Sequence, residues 1–290
     1  MAVANITELS NSNTIGNALS AVSSPALVKG TLGMNLMYTE NLPTGTNVKK
    51  FQKKGSLTAA SLAESTALQP DANGELTDSS VTATAAKVAV SSGLSVEEQK
   101  FGNIDLARIG NEQFGAIARF VDTDFIGMAA GLATTQTATT VLTIDDVMTA
   151  QMSIYNSNVP NQEVTLAACL GPRGVYNLKK EIIQSGAAAW SNPAQLALFQ
   201  GAPVKANGFV GNIPGICDVY QTTGYATTGG DDQQMLIHPM WCLAGMFDSA
   251  PISWVADKGP EGLYTSIISY FFYDIIEWND LAGVMLRSDT

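Results

Sequence analysis

Val48-Lys49-Lys50-Phe51-Gln52-Lys53-Lys54 and Ser80-Val81-Thr82-Ala83-Thr84-Ala85-Ala86-Lys87-Val88-Ala89-Val90 flank a turn-rich centre, Gln69-Pro70-Asp71-Ala72-Asn73-Gly74-Glu75. The Asn73-Gly74 pair suits a turn that needs positive φ. Strand, turn, strand is the reading: a long extended hairpin from Thr46 to Ser92. From Gln52 to Lys100 the chain contains no aromatic residue and no Ile, Met or Cys. So little bulky apolar surface cannot offset the conformational entropy of ordering the segment, and a two-stranded ribbon is marginal by itself in water. The hairpin is therefore expected to lie on another copy of the chain or on a partner. Its removal should leave a folded core that no longer assembles.

The rest of the composition fits a chain with a sizeable core. It has 290 residues, of which 46% are hydrophobic, enough for one large or two moderate domains. No apolar run approaches the roughly 20 residues that cross a bilayer. The start, Met1-Ala-Val-Ala-Asn-Ile-Thr-Glu8, has neither a basic region nor an apolar one that would direct export, so synthesis in the cytoplasm is expected. A net charge of −11 argues against gripping nucleic acid through its phosphates. Against that background Lys49, Lys50, Lys53 and Lys54 crowd onto the first arm of the hairpin. In an acidic chain that repeats itself in an assembly, such a cluster has a natural acidic counterpart on the next copy.

Along the chain, residues 1 to about 30 are rich in Ser, Asn, Thr and Ala and read as an arm. After the hairpin, Ser95-Val-Glu-Glu98 has the spacing of a capping box and opens a helix. Leu106, Ile109, Phe114, Ile117, Val121, Phe125, Met128 and Leu132 continue it as one apolar stripe, so the helix is expected to run from Val96 toward Leu132. Glycines at 102, 110, 115, 127 and 131 predict bends or a break.

From Thr143 the pattern is α/β. Thr143-Ile-Asp-Asp146 opens a helix with Ile144, Val147, Met148, Ile154 and Tyr155 inward, and Glu163 to Leu170 reads as a core strand. Pro172 starts a helix ending near Gly186, and Asn192-Pro193 starts another. Short strands are expected around Phe209–Val210, Ile216–Tyr220 and Met235–His238. Leu263 to Trp278 and Leu281 to Arg287, joined through Asn279-Asp280, read as two strands of a terminal ribbon.

No pattern carries catalytic chemistry. GxSxG, a phosphate-binding GxxxxGK[ST] loop, HExxH and CxxC are missing. The single histidine, His238, closes an apolar strand and reads as a hydrogen-bonded structural residue. Cys169, Cys217 and Cys242 sit in apolar surroundings and read as small buried hydrophobes. Asp145-Asp146 reads as helix capping and Asp231-Asp232 as solvation of a Gly-rich loop, which lacks the alternating carboxylates of a calcium site. No catalytic residue, cofactor or metal is expected, and the protein is not expected to be an enzyme.

The order of these elements resembles a known family. A polar N-terminal arm precedes a Lys-bearing hairpin, Val48-Lys-Lys-Phe51 to Lys87-Val-Ala-Val-Ser-Ser-Gly-Leu-Ser95, and a long helix. An α/β region follows with Gly208-Phe-Val-Gly-Asn-Ile-Pro-Gly-Ile216, Leu236-Ile-His-Pro239 and Ala250-Pro251, before long terminal strands. Together these resemble the major capsid proteins of tailed bacteriophages with the Hong Kong 97 fold. The resemblance covers almost the whole chain and rests on element order and loose local patterns.

It implies an α+β capsid fold with an N-arm (1–35), an extended hairpin or E-loop (36–95), a P-domain spine helix (96–143), an α/β A-domain (144–255) and terminal strands returning to the P-domain (256–290). It further implies self-assembly into hexamers and pentamers of an icosahedral shell in the virion, built in the host cytoplasm around double-stranded DNA held without sequence-specific binding. Portal, a separate scaffolding protein and a decoration protein are the implied partners. The implied subunit-interface residues are Lys49, Lys50, Phe51, Lys53, Lys54 and Lys87. An encapsulin-like shell of a cellular nanocompartment has the same fold and is the alternative; a cytosolic α/β enzyme is a third reading.

Overall fold

The computed structural model describes residues 31–53, 79–95, 106–138, 141–157, 165–184, 208–213, 215–228, 230–248, 252–256 and 264–289. A one-turn helix α1 (Gly33–Leu36) and strand β1 (Tyr38–Asn41) come first. The ribbon follows as β2 (Val48–Lys53) and β3 (Ser79–Thr84), then β4 (Ala86–Ser95) and the long helix α2 (Leu106–Gly127). Strand β5 (Thr135–Thr137), helix α3 (Ile144–Asn156), β6 (Leu166–Leu170) and helix α4 (Pro172–Gln184) continue the chain. Then come β7 (Phe209–Ile213), β8 (Cys217–Gln221), β9 (Ala226–Thr228), β10 (Asp231–Ile237), β11 (Leu243–Phe247), β12 (Ile252–Ala256), β13 (Tyr264–Glu277) and β14 (Gly283–Asp289).

The described strands form three sheets, and the fold is α+β. In the seven-stranded mixed sheet the path runs β5-β14-β10-β6-β8-β7, with β9 beside β10. Its centre is apolar throughout: every residue of β6 is buried, as are Met235, Leu236 and Ile237 of β10. That is what a strand covered on both faces requires. The five-stranded sheet is organised by β13, which pairs antiparallel with β4 over Tyr264–Tyr273, with β12 over Ser266–Tyr270 and with β11 over Tyr273–Glu277. Strand β1 adds to β11 in parallel.

Alternation along β13 sets two faces. Ile267, Ser269, Phe271, Tyr273 and Ile275 are buried, and α2 covers that face with Phe114, Ile117, Val121 and Phe125. Gln113 fixes the register of helix on sheet. Its amide donates to Ser92 Oγ (2.8 Å) and to the Ile267 carbonyl (2.9 Å), and its carbonyl accepts from Ser269 Oγ (2.6 Å). Buried and satisfied on both ends, this side chain ties α2, β4 and β13 together.

Several expectations meet the structure unchanged. Thr143 caps α3 through a capping box with Asp146, and α4 begins at Pro172. Ile144, Val147 and Ile154 point inward as the periodicity predicts, but Met148 is 45% exposed, the buried side being completed by Ala150.

Three readings are corrected. The second arm of the hairpin is two strands: Ser79–Thr84 pairs with Val48–Lys53, whereas Ala86–Ser95 leaves the ribbon and joins β13. The switch falls at Ala85, whose N–H is held by the Asn47 carbonyl at 2.8 Å and whose side chain is buried. Ser95 is the last residue of β4; the described part of the long helix runs from Leu106 to Gly127, where a 3-10 turn takes over through Gly131, at the glycines where a bend or break is expected. The terminal strands do not pair with each other; β13 and β14 lie in different sheets, because the short turn at Asp280–Ala282 is held to other elements. The N–H groups of Trp278 and Asn279 donate to the Cys242 carbonyl, and the Ala282 carbonyl accepts from His238 N–H. Asp231 and Asp232 open strand β10 instead of solvating a loop, with Asp231 bonded to Arg287 and Asp232 buried. The arm before residue 31, the hairpin tip, the segment 96–105 and the Asn192-Pro193 helix lie outside the described residues.

Candidate functional site

The ribbon is the feature singled out for assembly, and its root is built onto the five-stranded sheet. The pleat of β2 divides the lysine cluster. Lys49 and Phe51 turn toward the subunit, while Val48, Lys50 and Gln52 are exposed. Phe51, only 3% exposed, joins Ala83, Ala85, Ala244 and Met246 in a small cluster against Leu42, Phe272, Ile276 and Trp278. This cluster lies on the face of β13 opposite α2.

Polar contacts reinforce the seat. Lys49 Nζ pairs with Glu40 of β1. The Trp278 indole donates to the Gln52 carbonyl at 3.1 Å, and Thr84 N–H donates to Asp274 Oδ2 at 2.6 Å. The Trp278 ring stacks between Tyr38 (5.1 Å, 29°) and Trp241 (5.7 Å, 11°). Lys87 Nζ lies 4.2 Å from the centre of the Tyr270 ring, a cation over a π face. The Lys49 ammonium holds the Glu40 carboxyl below its ordinary value, and the hydrogen bond to Glu40 raises the Tyr38 phenol. Burial raises Asp274 against the opposing Thr84 and Ile275 amides.

The residues predicted for subunit contact thus have distinct places. Phe51 is buried within its own subunit, Lys49 is ion-paired there, Lys50 and Lys87 are exposed, the Lys53 side chain and Lys54 lie outside the described residues. Sequence reasoning missed Tyr38, Glu40, Trp241, Asp274 and Trp278. They come from the far ends of the chain, and only the pairing of β1 with β11 and of β11 with β13 brings them beneath the ribbon.

The residues weighed for chemistry are structural in their geometry. Cys169, Cys217 and Cys242 are free and buried, and burial pushes the Cys217 thiol up to about 12. His238 is buried with Nδ1 2.9 Å from the Pro239 carbonyl. Asp146 completes the α3 cap, and burial raises Asp232 against the nearby Arg173. Among the described residues no group of three or more His, Cys, Asp or Glu side chains is placed to hold a metal, and no helix is long and apolar enough to cross a membrane.

By sequence, no protein-family model and no curated protein matches the chain. By structure, it matches a chain of the capsid of Ralstonia phage GP4 at a TM-score of 0.64 and 10% identity, over 88% of this chain and 87% of that one. A chain of the mature capsid of bacteriophage PhiM1 matches at 0.62 and 10% identity, over 89% and 87%. The SrpI encapsulin of Synechococcus elongatus matches at 0.61 and 10% identity, over 88% and 86%. The fold is that of phage major capsid proteins, and encapsulin shells share it.

Proposed function

We propose that this chain is the major capsid protein of a tailed bacteriophage, assembling into hexamers and pentamers of an icosahedral shell around a double-stranded DNA genome. The observation that carries the reading is the reach of the structural match, 88% of this chain against 87% of the Ralstonia phage GP4 capsid chain. In the Hong Kong 97 arrangement residues 1–35 form the N-arm, 36–95 the E-loop, 96–143 with 256–290 the P-domain, and 144–255 the A-domain. The E-loop leaves its own subunit beyond the root at Lys53 and Ser79 and lies across a neighbour. Lys50, Lys53, Lys54 and Lys87 meet that neighbour's acidic surface, while Phe51 and Lys49 hold the loop's root rigid. With a net charge of −11, the shell confines DNA by geometry rather than by neutralising phosphates. Portal, scaffolding and decoration proteins are the partners, the host cytoplasm is the place of assembly, and no turnover chemistry is assigned.

A second reading has support of its own: an encapsulin matches this chain as well as the phage capsids do. The cytosolic enzyme has none, since the neighbours are shell proteins. Contents separate the two shells. Particles purified from cells that produce the chain, treated with nuclease and then opened, should release double-stranded DNA of uniform length. Particles carrying one protein cargo and no DNA would establish the nanocompartment instead.

A further inference from the structure

Two helices expose stripes of matching length and opposite chemistry. Helix α3 buries Ile144, Val147, Ala150 and Ile154 and turns Asp145, Met148 and Met152 outward. Helix α4 buries Val175, Leu178 and Ile182 and turns Arg173, Tyr176 and Lys180 outward. Met152 and Tyr176 are the most exposed large apolar side chains among the described residues, 63% each, and Met148 is 45% exposed. Periodicity placed Met148 inside; the fold puts it outside, where water gains nothing from it. The start of α3 lies beside the end of α4, where Ile144 N–H donates to Glu181 Oε2 at 2.8 Å.

Both stripes repeat at three and four residues, the spacing of one helix face. One reads acid, Met, Met; the other reads base, Tyr, base. Laid side by side, the thioethers of Met148 and Met152 cover the Tyr176 ring, a favourable sulfur–aromatic contact, and Asp145 reaches a basic residue at the end of the α4 stripe. Within one subunit both stripes remain exposed, so a second copy is the occupant that satisfies both. We infer that the α3 stripe of one copy packs on the α4 stripe of the next. Repeated head to tail from copy to copy, as the shell reading requires, the contact is heterologous, the type that builds rings when the rotation closes. Alone it is too small for a stable complex, and it acts as one of several contacts repeated around a shell. It rests on the shell reading proposed above and adds the surface by which neighbours meet.

The test uses the full chain. Met148→Cys with Tyr176→Cys, under mild oxidation after assembly, should give covalent multimers on a denaturing gel, and either single substitution should give none; the three natural cysteines are buried. In parallel, Met148→Asp with Met152→Asp should lower the assembled fraction by about tenfold at an unchanged melting temperature. Asp145→Arg, and separately Arg173→Glu with Lys180→Glu, should each weaken assembly, and their combination should restore it. This charge swap decides the matter if the cysteine or aspartate variants misfold. If the wild type assembles but the cysteine pair does not cross-link and the charge swap shows no mutual rescue, the contact is wrong and the shell reading stands. If the wild type never assembles, both fall together.

Discussion

Gln113 offers a quantitative check on how the long helix is seated. It is 2% exposed, and Ser269, which donates to it at 2.6 Å, is fully buried. Gln113→Met keeps the length of the side chain and deletes its polar end. The Ser269 hydroxyl and the Ile267 carbonyl then lose a partner in a site closed to water, while the half-buried Ser92 can turn to solvent. At about 0.5–1.5 kcal/mol for each hydrogen bond lost, the substitution should cost about 1–3 kcal/mol. Ser269→Ala alone strands only the Gln113 carbonyl and should cost about 1–2 kcal/mol. In the double variant the Gln113–Ser269 bond is lost only once, so its cost should fall short of the sum by about 0.5 kcal/mol or more. Urea denaturation of unassembled subunits, followed by tryptophan fluorescence, gives all four corners of the cycle. Strict additivity, or a cost below about 0.5 kcal/mol for Gln113→Met, would refute the placement of α2 on the β4–β13 pair.

Other outcomes follow from single features. Replacing residues 54–78 by a short Gly-Ser bridge should shift subunit stability by less than about 1 kcal/mol and abolish shells, as read by circular dichroism and light scattering. Excising the whole of Thr46 to Ser92, expected from composition to leave a folded core, should instead unfold the subunit, since it removes the buried Phe51, worth about 3 kcal/mol or more as an alanine truncation, together with most of β4. A native thiol-labelling assay should modify none of Cys169, Cys217 and Cys242, and all three in denaturant, because each is fully buried and burial disfavours the thiolate. Asp122 accepts the Gly33 N–H at 3.0 Å, and burial raises its carboxyl above the ordinary value despite that bond. A folded-state value above the unfolded one means the folded chain binds the proton more tightly, so this group's contribution grows as pH falls from neutrality through the raised value. Asp122→Asn should be at least as stable as wild type at pH 7 and should lose that part of the pH slope in a thermal melt series.

What was legible in the sequence was local. Thr143 with Asp146 announces a helix start because the hydroxyl and carboxylate satisfy N–H groups within one turn, and Pro172 announces another. The α2 stripe was legible because its spacing is set by one helix. Partner choice was not. Nothing within Ala86–Ser95 says that it pairs with Tyr264–Tyr273 rather than with the first hairpin arm, and nothing near Asn279 says that β14 crosses to the other sheet. Those decisions are made by partners about fifty residues away along the chain for β14 and well over a hundred for β4. Met148 shows the limit from the other side: helical spacing identifies a stripe, but which side chains the rest of the subunit covers depends on the sheet beneath. At the candidate site the lysine run was visible and its division was not, because the strand's pleat sends Lys49 to Glu40 and Lys50 outward.

Assembly itself is the central claim, and the most direct measurement is size-exclusion chromatography with light scattering of the full chain expressed alone and with the proposed scaffolding partner, followed by negative-stain microscopy of the large fractions. The account predicts closed shells, or capsomers with five-fold and six-fold outlines, that disappear when residues 54–78 are bridged. A monodisperse monomer at every concentration and salt, with no particle in either preparation, would contradict it.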